Sequence, residues 1–450
     1  MLRRRKIQIS ALGLSLAGYI WLGYFTERAA FLQVLSLYSV LFVLYLFLLY
    51  NSKSGNGYKI AIGGAILLRL SLLLMTPNLS DDYYRYVWDG LLTVNGVSPY
   101  LLTPAELINS QMAVPGINTE LFQNLNSSGY LSAYPPVSQF IFWLSTKLAG
   151  ADIIGNIIVI RVVILLAEFG TLALLYRLAK KFKLPPGTIL IYALNPLVII
   201  ELTGNLHLEA VMIFFLLLAV YLLIKEKVLF SAASLGLAIG TKLMPLIFLP
   251  LLIKRLGIRR SLWYYLVMGV TVILIFTPFL SGQSVSNYFS SLSLYFRVFE
   301  FNASVYYLFR WVYFQTSSDT FITITQVLLP VLTLLAVIVI SFKQRVDSRH
   351  SIFLSMLFCL TAYFIFTNNV HAWNLTTLVM LSVFTTYRFM LPWSLGVVLA
   401  YSAYRTFPYS ENLWLVVIEY LLILGWMAGE IIRHHKRRTV ETRENKLPYG

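Results

Sequence analysis

Only 12% of the 450 residues are charged, against about a quarter in ordinary soluble domains, and that shortage excludes a soluble fold of this length. There is one cysteine, Cys359, set in an apolar run, so no internal disulfide and no thiolate metal site can form. No low-complexity tract, long-period repeat or separate polar domain interrupts the chain. The alternating segments of about ten residues that mark a transmembrane barrel are also missing. What is present is a 58% hydrophobic content, gathered in blocks that recur from Gln8 to Ile432. These blocks are long enough to cross a hydrocarbon layer about 30 Å thick, and runs such as 30–50 and 261–280 are apolar on every face. The fold class is an all-α polytopic membrane protein. A single integral-membrane domain is expected over 1–432, followed by a cytoplasmic basic tail over 433–450.

The 35 Lys and Arg outnumber the 19 Asp and Glu by 16. In a soluble protein that excess would suggest a nucleic-acid partner, but here the basic residues sit in short loops between apolar blocks, where the positive-inside rule accounts for them. Arg3, Arg4, Arg5 and Lys6 precede a first block of span length, which argues for a retained helix over a cleaved signal. With that cluster inside, spans fall near 7–25, 30–50 and 58–77, and 78–155 becomes one long external segment. Its apolar stretch 137–148 is too short to cross and reads as a helix at or dipping into the outer surface. Further spans lead to a second external segment at 281–320 and a total of about 12–14 crossings, with both termini inside. In this threading 26 of the 35 basic residues are cytoplasmic, which is the main support for it.

Once sides are assigned, the unusual polar residues gather on the external rim. Three of the six aspartates lie in Asp81-Asp82-Tyr83-Tyr84-Arg85-Tyr86-Val87-Trp88-Asp89. On a helix, Asp82, Arg85 and Asp89 share one face, either as intrahelical ion pairs or as a carboxylate placed to take a proton from a hydroxyl. Tyr134-Pro135-Pro136 starts the surface helix. Glu201, Asn205, His207 and Glu209 occupy the turn of a later hairpin, in a spacing that matches hydrogen bonding better than any metal motif. Lys242 and Arg297 break the positive-inside rule, and an anion such as a lipid phosphate would compensate them. Asn302 follows Arg297 in the same segment, and His371 with Trp373 closes another external helix end. The expected bilayer midplane holds few ionisable groups, chiefly Arg69, Glu168 and Glu419. That favours an enzyme on a lipid-linked substrate over a transporter, although a lipid or glycolipid transporter with an external vestibule stays open as the alternative.

The stretch from Asp81 to Gly90, then Asn95-Gly96-Val97-Ser98-Pro99-Tyr100 and Tyr134-Pro135-Pro136, resembles the first external loop of integral-membrane glycosyltransferases of the GT-C fold. The likeness is greatest to bacterial polyprenyl-phosphate-mannose-dependent mannosyltransferase-like proteins. Asn195-Pro196-Leu197, Gly204-Asn205-Leu206-His207-Leu208-Glu209-Ala210, Gly240-Thr241-Lys242-Leu243-Met244-Pro245 and Val370-His371-Ala372-Trp373 are similar to later signatures of that group, in the same order. Ala372 stands where proline is more usual, and Glu209 where related sequences often carry Asp.

The resemblance implies a GT-C type helical bundle with external juxtamembrane helices. It further implies an inverting transfer of a hexose, mannose by this likeness, from a polyprenyl phosphate sugar donor to a glycan or lipid acceptor. The setting it implies is the periplasmic or extracellular side of a bacterial inner membrane. Asp82 matches the position of the general base, with Asp81 close behind. Arg85, Lys242, Arg297 and His371 would serve the donor phosphate, and Asp89, Tyr134, Asn205, His207, Glu209, Asn302 and Trp373 would line the substrate site. Neither metal nor other cofactor is required for departure of a phosphate whose charge is matched.

Overall fold

In hydrocarbon a lone segment can satisfy its backbone only as a helix, and the apolar blocks fold accordingly. The structure, a computed structural model, is described for residues 2–279, 281–316, 319–346 and 351–444, with side chains left aside at 2, 295–298, 319–324 and 437–444. It opens with α1 (Leu2–Phe25), α2 (Phe31–Asn51) and α3 (Gly55–Leu70), then α4 (Asp82–Val94), two short helices α5 (Pro104–Asn109) and α6 (Thr119–Gln123), α7 (Pro136–Ala149) and the long α8 (Ile153–Lys181). After these come α9 (Leu190–Ala193), α10 (Pro196–Val198), α11 (Glu209–Ile224), α12 (Val228–Thr241), α13 (Leu249–Leu256) and α14 (Ile258–Phe276). The rest of the chain forms α15 (Gly282–Val298), α16 (Val305–Thr316), α17 (Asp319–Lys343), α18 (Ser351–Phe366), α19 (Thr376–Ser382), α20 (Met390–Gly396) and α21 (Leu413–Glu444). Among the described residues no strand forms beyond one isolated parallel bridge between Phe301 and Asn369.

The helices are apolar on both faces. α2 buries Val34, Tyr38, Leu41, Tyr45 and Leu48 at helical spacing, yet its outward residues Leu32, Val40 and Val43 are also large and apolar. α14 and α21 likewise turn Leu266, Ile273, Leu421 and Leu422 outward. So wide an apolar exterior requires lipid, and the chain is a multi-pass membrane protein.

Six helices among the described residues are long and apolar enough to cross: Arg3–Phe25, Phe31–Asn51, Ile153–Lys181, Ile258–Phe279, Thr325–Lys343 and Leu413–Lys436. A seventh crossing arises if the pair Pro186–Ala193 and Pro196–Gly204, bent by 50°, is one broken span, and α11, α12 and α18 are shorter apolar helices. Fewer segments therefore meet the length test than hydropathy alone suggests. Proline is one reason: Pro196, Pro245 and Pro250 each open a new short helix where the pattern reads as continuous.

The break at Asn195-Pro196 matters most. Asn195 caps the new helix through the amide of Leu197, and six residues, Ile199–Gly204, then wind as a π-helix. Two buried arginines take up carbonyls around this break. Arg161 of α8 donates to the carbonyls of Thr203 (2.9 Å), Gly204 (3.0 Å) and Leu73 (2.9 Å). Arg69 of α3 donates to the Ala193 carbonyl at 2.6 Å and pairs at 2.9 Å with Glu168, which also accepts the Tyr192 hydroxyl. Of the ionisable groups expected at the midplane, Arg69 and Glu168 are thus structural partners of a broken helix, whereas Glu419 accepts from Asn302 and Trp393.

The expected surface helix is α7, which lies among α4, α8 and α12. α4 and α7 meet at Gly90, where an added Cβ would lie 2.5 Å from the Phe142 carbonyl oxygen and 2.7 Å from the Thr146 methyl. Beyond it, Val87, Trp88, Leu91 and Leu92 of α4 close over Leu107, Val114 and Leu121 in a small separate core. Gly90→Ala should force the two helices apart and cost about 1–3 kcal/mol, seen as a lowered unfolding temperature of the detergent-solubilised protein.

Candidate functional site

The ends of several helices converge around the two adjacent aspartates at the start of α4. Asp81, the residue before the helix, makes no cap but turns to Arg28 in the link between α1 and α2. The guanidinium meets it with two nitrogens, at 2.9 and 3.3 Å, and Asn126 donates to the same carboxylate at 2.8 Å. Asp82 accepts one hydrogen bond, from Asn126 at 3.1 Å, and its other oxygen stands 4.0 Å from Nδ1 of His207. Although its side chain is 21% exposed against 27% for Asp81, Asp82 has one oxygen without a close donor and is the less engaged of the two.

His207 is delivered by the turn after the broken helix, where Leu206 adopts a positive φ of 64°. The imidazole is buried, with Nε2 3.4 Å from Glu201. Glu201 is itself held by the Tyr401 hydroxyl (2.6 Å) and by Asn205 (3.0 Å). Four rings then stack in series. His207 lies 3.8 Å from Trp373, Trp373 lies 4.2 Å from His371, and His371 lies 4.6 Å from Phe301. Burial, followed by the nearby charges of His207 and Lys242, pushes the His371 imidazole down to about 3, so the ring is neutral in ordinary conditions.

Lys242 ends α12 and Glu209 begins α11, and the two meet at 2.5 Å. Each charge sits at the helix end its sign suits, the cation at a C-terminus and the anion at an N-terminus. Glu209 is fully buried, whereas Lys242 keeps a side-chain exposure of 27%. Tyr134 feels the charge of both carboxylates: burial, then Asp82, its contact with Tyr86 and Glu209, raise its phenol well above the usual range.

Other expected site residues lie elsewhere. Arg85 bonds Asp89 at 2.8 Å rather than Asp82, and reaches the carbonyls of Tyr130 and Ser127. Asp89 is buried and also accepts Ser132 (2.5 Å) and Gln139 (2.9 Å), so this pair ties α4 to α7 and the loop between them. Asn302 holds a positive φ of 47°, bonds Glu411 through its amide and Glu419 through its side chain, and leaves Phe301 as the ring beside His371. The side chain of Arg297 lies outside the described residues, as do the side chains beyond Lys436. Among the described residues no group of three or more His, Cys, Asp or Glu is arranged to hold a metal ion.

Arg28, Asn126 and Tyr404 escaped the sequence reading. Arg28 also donates to the Tyr409 hydroxyl at 2.7 Å and lies 4.3 Å above the Tyr404 ring. The signal for it existed, since a basic residue in the turn after the first span breaks the same charge rule that marked Lys242.

A family model described as alpha-(1->6)-mannopyranosyltransferase, N-terminal domain, matches residues 14–256, more than half the chain. That region contains Arg28, both aspartates, His207, Glu209 and Lys242, but ends before Asn302, His371 and Trp373. The chain is 27% identical over 187 residues to alpha-(1->6)-mannopyranosyltransferase A of Mycobacterium tuberculosis, an alignment covering 40% of this chain and 34% of that protein. It is 22% identical over 183 residues to the protein of the same name from Corynebacterium glutamicum, covering 40% of this chain and 36% of the relative. The alignments thus span about a third of the length of the relatives.

A neutral His371 has a consequence for stability. Between about 3 and the ordinary value of 6.5 the unfolded chain binds a proton that the folded chain does not, so this residue's contribution falls as pH drops through that window. His371→Gln should therefore flatten the loss of thermal stability on acidification from about pH 7 to about pH 5, measured as unfolding midpoints in detergent.

Proposed function

This chain belongs to the alpha-(1->6)-mannopyranosyltransferase family, and from that membership we propose that it transfers mannose from a polyprenyl phosphate donor to a glycan or lipid acceptor. The reaction takes place at the outer surface of a bacterial inner membrane. The observation that carries the reading is the convergence of an available carboxylate, Asp82, with a histidine–tryptophan stack and a lysine from separate helix ends.

Asp82 is the general base and Asp81 is not, because Arg28 engages both oxygens of Asp81 whereas Asp82 keeps one without a hydrogen bond. The acceptor hydroxyl attacks the anomeric carbon and gives its proton to Asp82. The bond from that carbon to the donor phosphate oxygen breaks with inversion, and its electron pair leaves on the phosphate. Lys242, exposed enough to meet a headgroup, matches the developing charge, and the neutral His371 donates or accepts a hydrogen bond without adding charge. Glu201 and Asn205 fix His207, and His207 with Trp373 walls the sugar site on the Asp82 side.

Asp82→Asn should lower the turnover of a radiolabelled polyprenyl phosphate mannose donor by about 10²–10⁴-fold with normal expression and folding, and full activity would remove Asp82 from the role of base. Lys242→Ala should raise the donor KM more than it lowers kcat. An unchanged donor dependence would detach it from the phosphate. Intact lipid-sugar crossing liposomes without release of polyprenyl phosphate would point instead to transport.

A further inference from the structure

Asp81 has a second face. Away from Asp82 and His207 it borders an open groove of about 390 Å³, within the usual range of about 300–1,000 Å³ for small-ligand sites. Arg28, Tyr404, Arg405, Phe407 and Tyr409 line it with Asp81. We propose that this groove binds a saccharide and holds the acceptor glycan for transfer, an assignment that rests on the transfer reading above.

The chemistry of the lining selects the occupant. A pyranose presents a C–H face that packs on an aromatic ring and a rim of hydroxyls that bond to charged or amide groups. The groove supplies both. Phe407 is 90% exposed and Tyr409 49%, and unlike the other exposed aromatic residues of the chain's apolar exterior both line the groove beside polar groups that are held in place. Arg28 forms the rigid part, clamped by Asp81 at 2.9 Å, by the Tyr409 hydroxyl at 2.7 Å and by the Tyr404 ring at 4.3 Å. Both terminal nitrogens of Arg28 are already engaged by the Asp81 carboxylate, so the fork that would grip a lipid phosphate is taken, whereas Lys242 meets Glu209 through a single contact and keeps further N–H donors. The Arg28–Asp81 pair suits neutral hydroxyls, which can accept from the guanidinium and donate to the carboxylate. Charged and hydroxyl groups along the floor equally disfavour an acyl chain.

Position assigns the occupant to the acceptor. Asp81 and Asp82 are consecutive and share Asn126, which donates to both at 2.8 and 3.1 Å. A sugar in the groove therefore lies beside the proposed base, while Lys242, Glu209 and the His371–Trp373 stack border the other side through His207. The acceptor hydroxyl would reach the anomeric carbon from the Asp82 side and the phosphate would leave from the opposite face, toward Lys242, as an inverting displacement demands.

The test uses the full-length chain in nanodiscs and α-(1→6)-linked mannotriose as probe. Saturation-transfer NMR should show the triose bound to the parent protein, with the signal lost in Phe407→Ala and in Tyr409→Ala. In transfer assays both variants should raise the acceptor KM by about three- to tenfold with the donor KM unaltered. Phe407 packs on little besides Tyr409, so its removal leaves the fold intact. Triose binding equal to the parent's in both variants would overturn the assignment. So would a donor KM that rises in step with the acceptor KM, which marks contact with lipid. Triose binding that depends on Phe407 in a parent protein unable to release polyprenyl phosphate would keep the groove as a saccharide site and defeat the transfer reading alone.

Discussion

Everything at the candidate site hangs from a helix that stops inside the protein. A break between Ala193 and Pro196, followed by a π-wound turn, leaves carbonyl oxygens without their usual amide partners, and in a membrane each such group costs several kcal/mol. Arg69 and Arg161 supply the missing donors from two neighbouring helices. Once these guanidinium groups are committed, the turn that follows has one course open to it, and that course carries Asn205, His207 and Glu209 to the same end as Asp82. π-helical turns often mark functional positions because the irregular winding aims a side chain where regular helix would not.

The site is built from charges that are already compensated. Arg28 with Asp81, Lys242 with Glu209 and Arg85 with Asp89 each form a close pair, and among these acids Asp82 stands out by lacking a cation at short range. In a poorly solvated region that difference sorts the carboxylates by availability. Aromatic rings complete the enclosure: the His207 to Phe301 stack joins segments from distant parts of the chain through flat contacts that hold orientation without adding charge.

Much of this was legible from composition and order. The apolar blocks announced a helical membrane protein. Lys242 was visible as a cation on the wrong side of the charge rule, and the sequence of short motifs pointed to a mannosyltransferase family. Hydropathy, however, cannot separate a helix that crosses lipid from a short helix packed against other helices, because both are equally apolar; α19 and α20 are of the second kind. Nor can spacing show that Arg85 and Asp89, correctly placed on one helix face, are sealed beneath α7. Arg28 lay in a five-residue turn that carried no motif, and its partnership with Asp81 spans 53 positions of chain. Such contacts are set by how helices pack, which no local pattern encodes.

The Lys242–Glu209 pair bears on how a product would leave. A lone lysine facing a lipid phosphate would bind donor and spent carrier with comparable strength, and turnover would stall on release. On the proposed reading an arriving phosphate would have to displace a resident carboxylate, so net attraction would be the difference between two ion pairs rather than the whole of one. After transfer Glu209, anchored at the head of α11, would be in place to reclaim the lysine. If the proposed donor site is right, the protein would keep its own competitive ligand tethered beside the cation, and that tether would favour the departure of a used carrier.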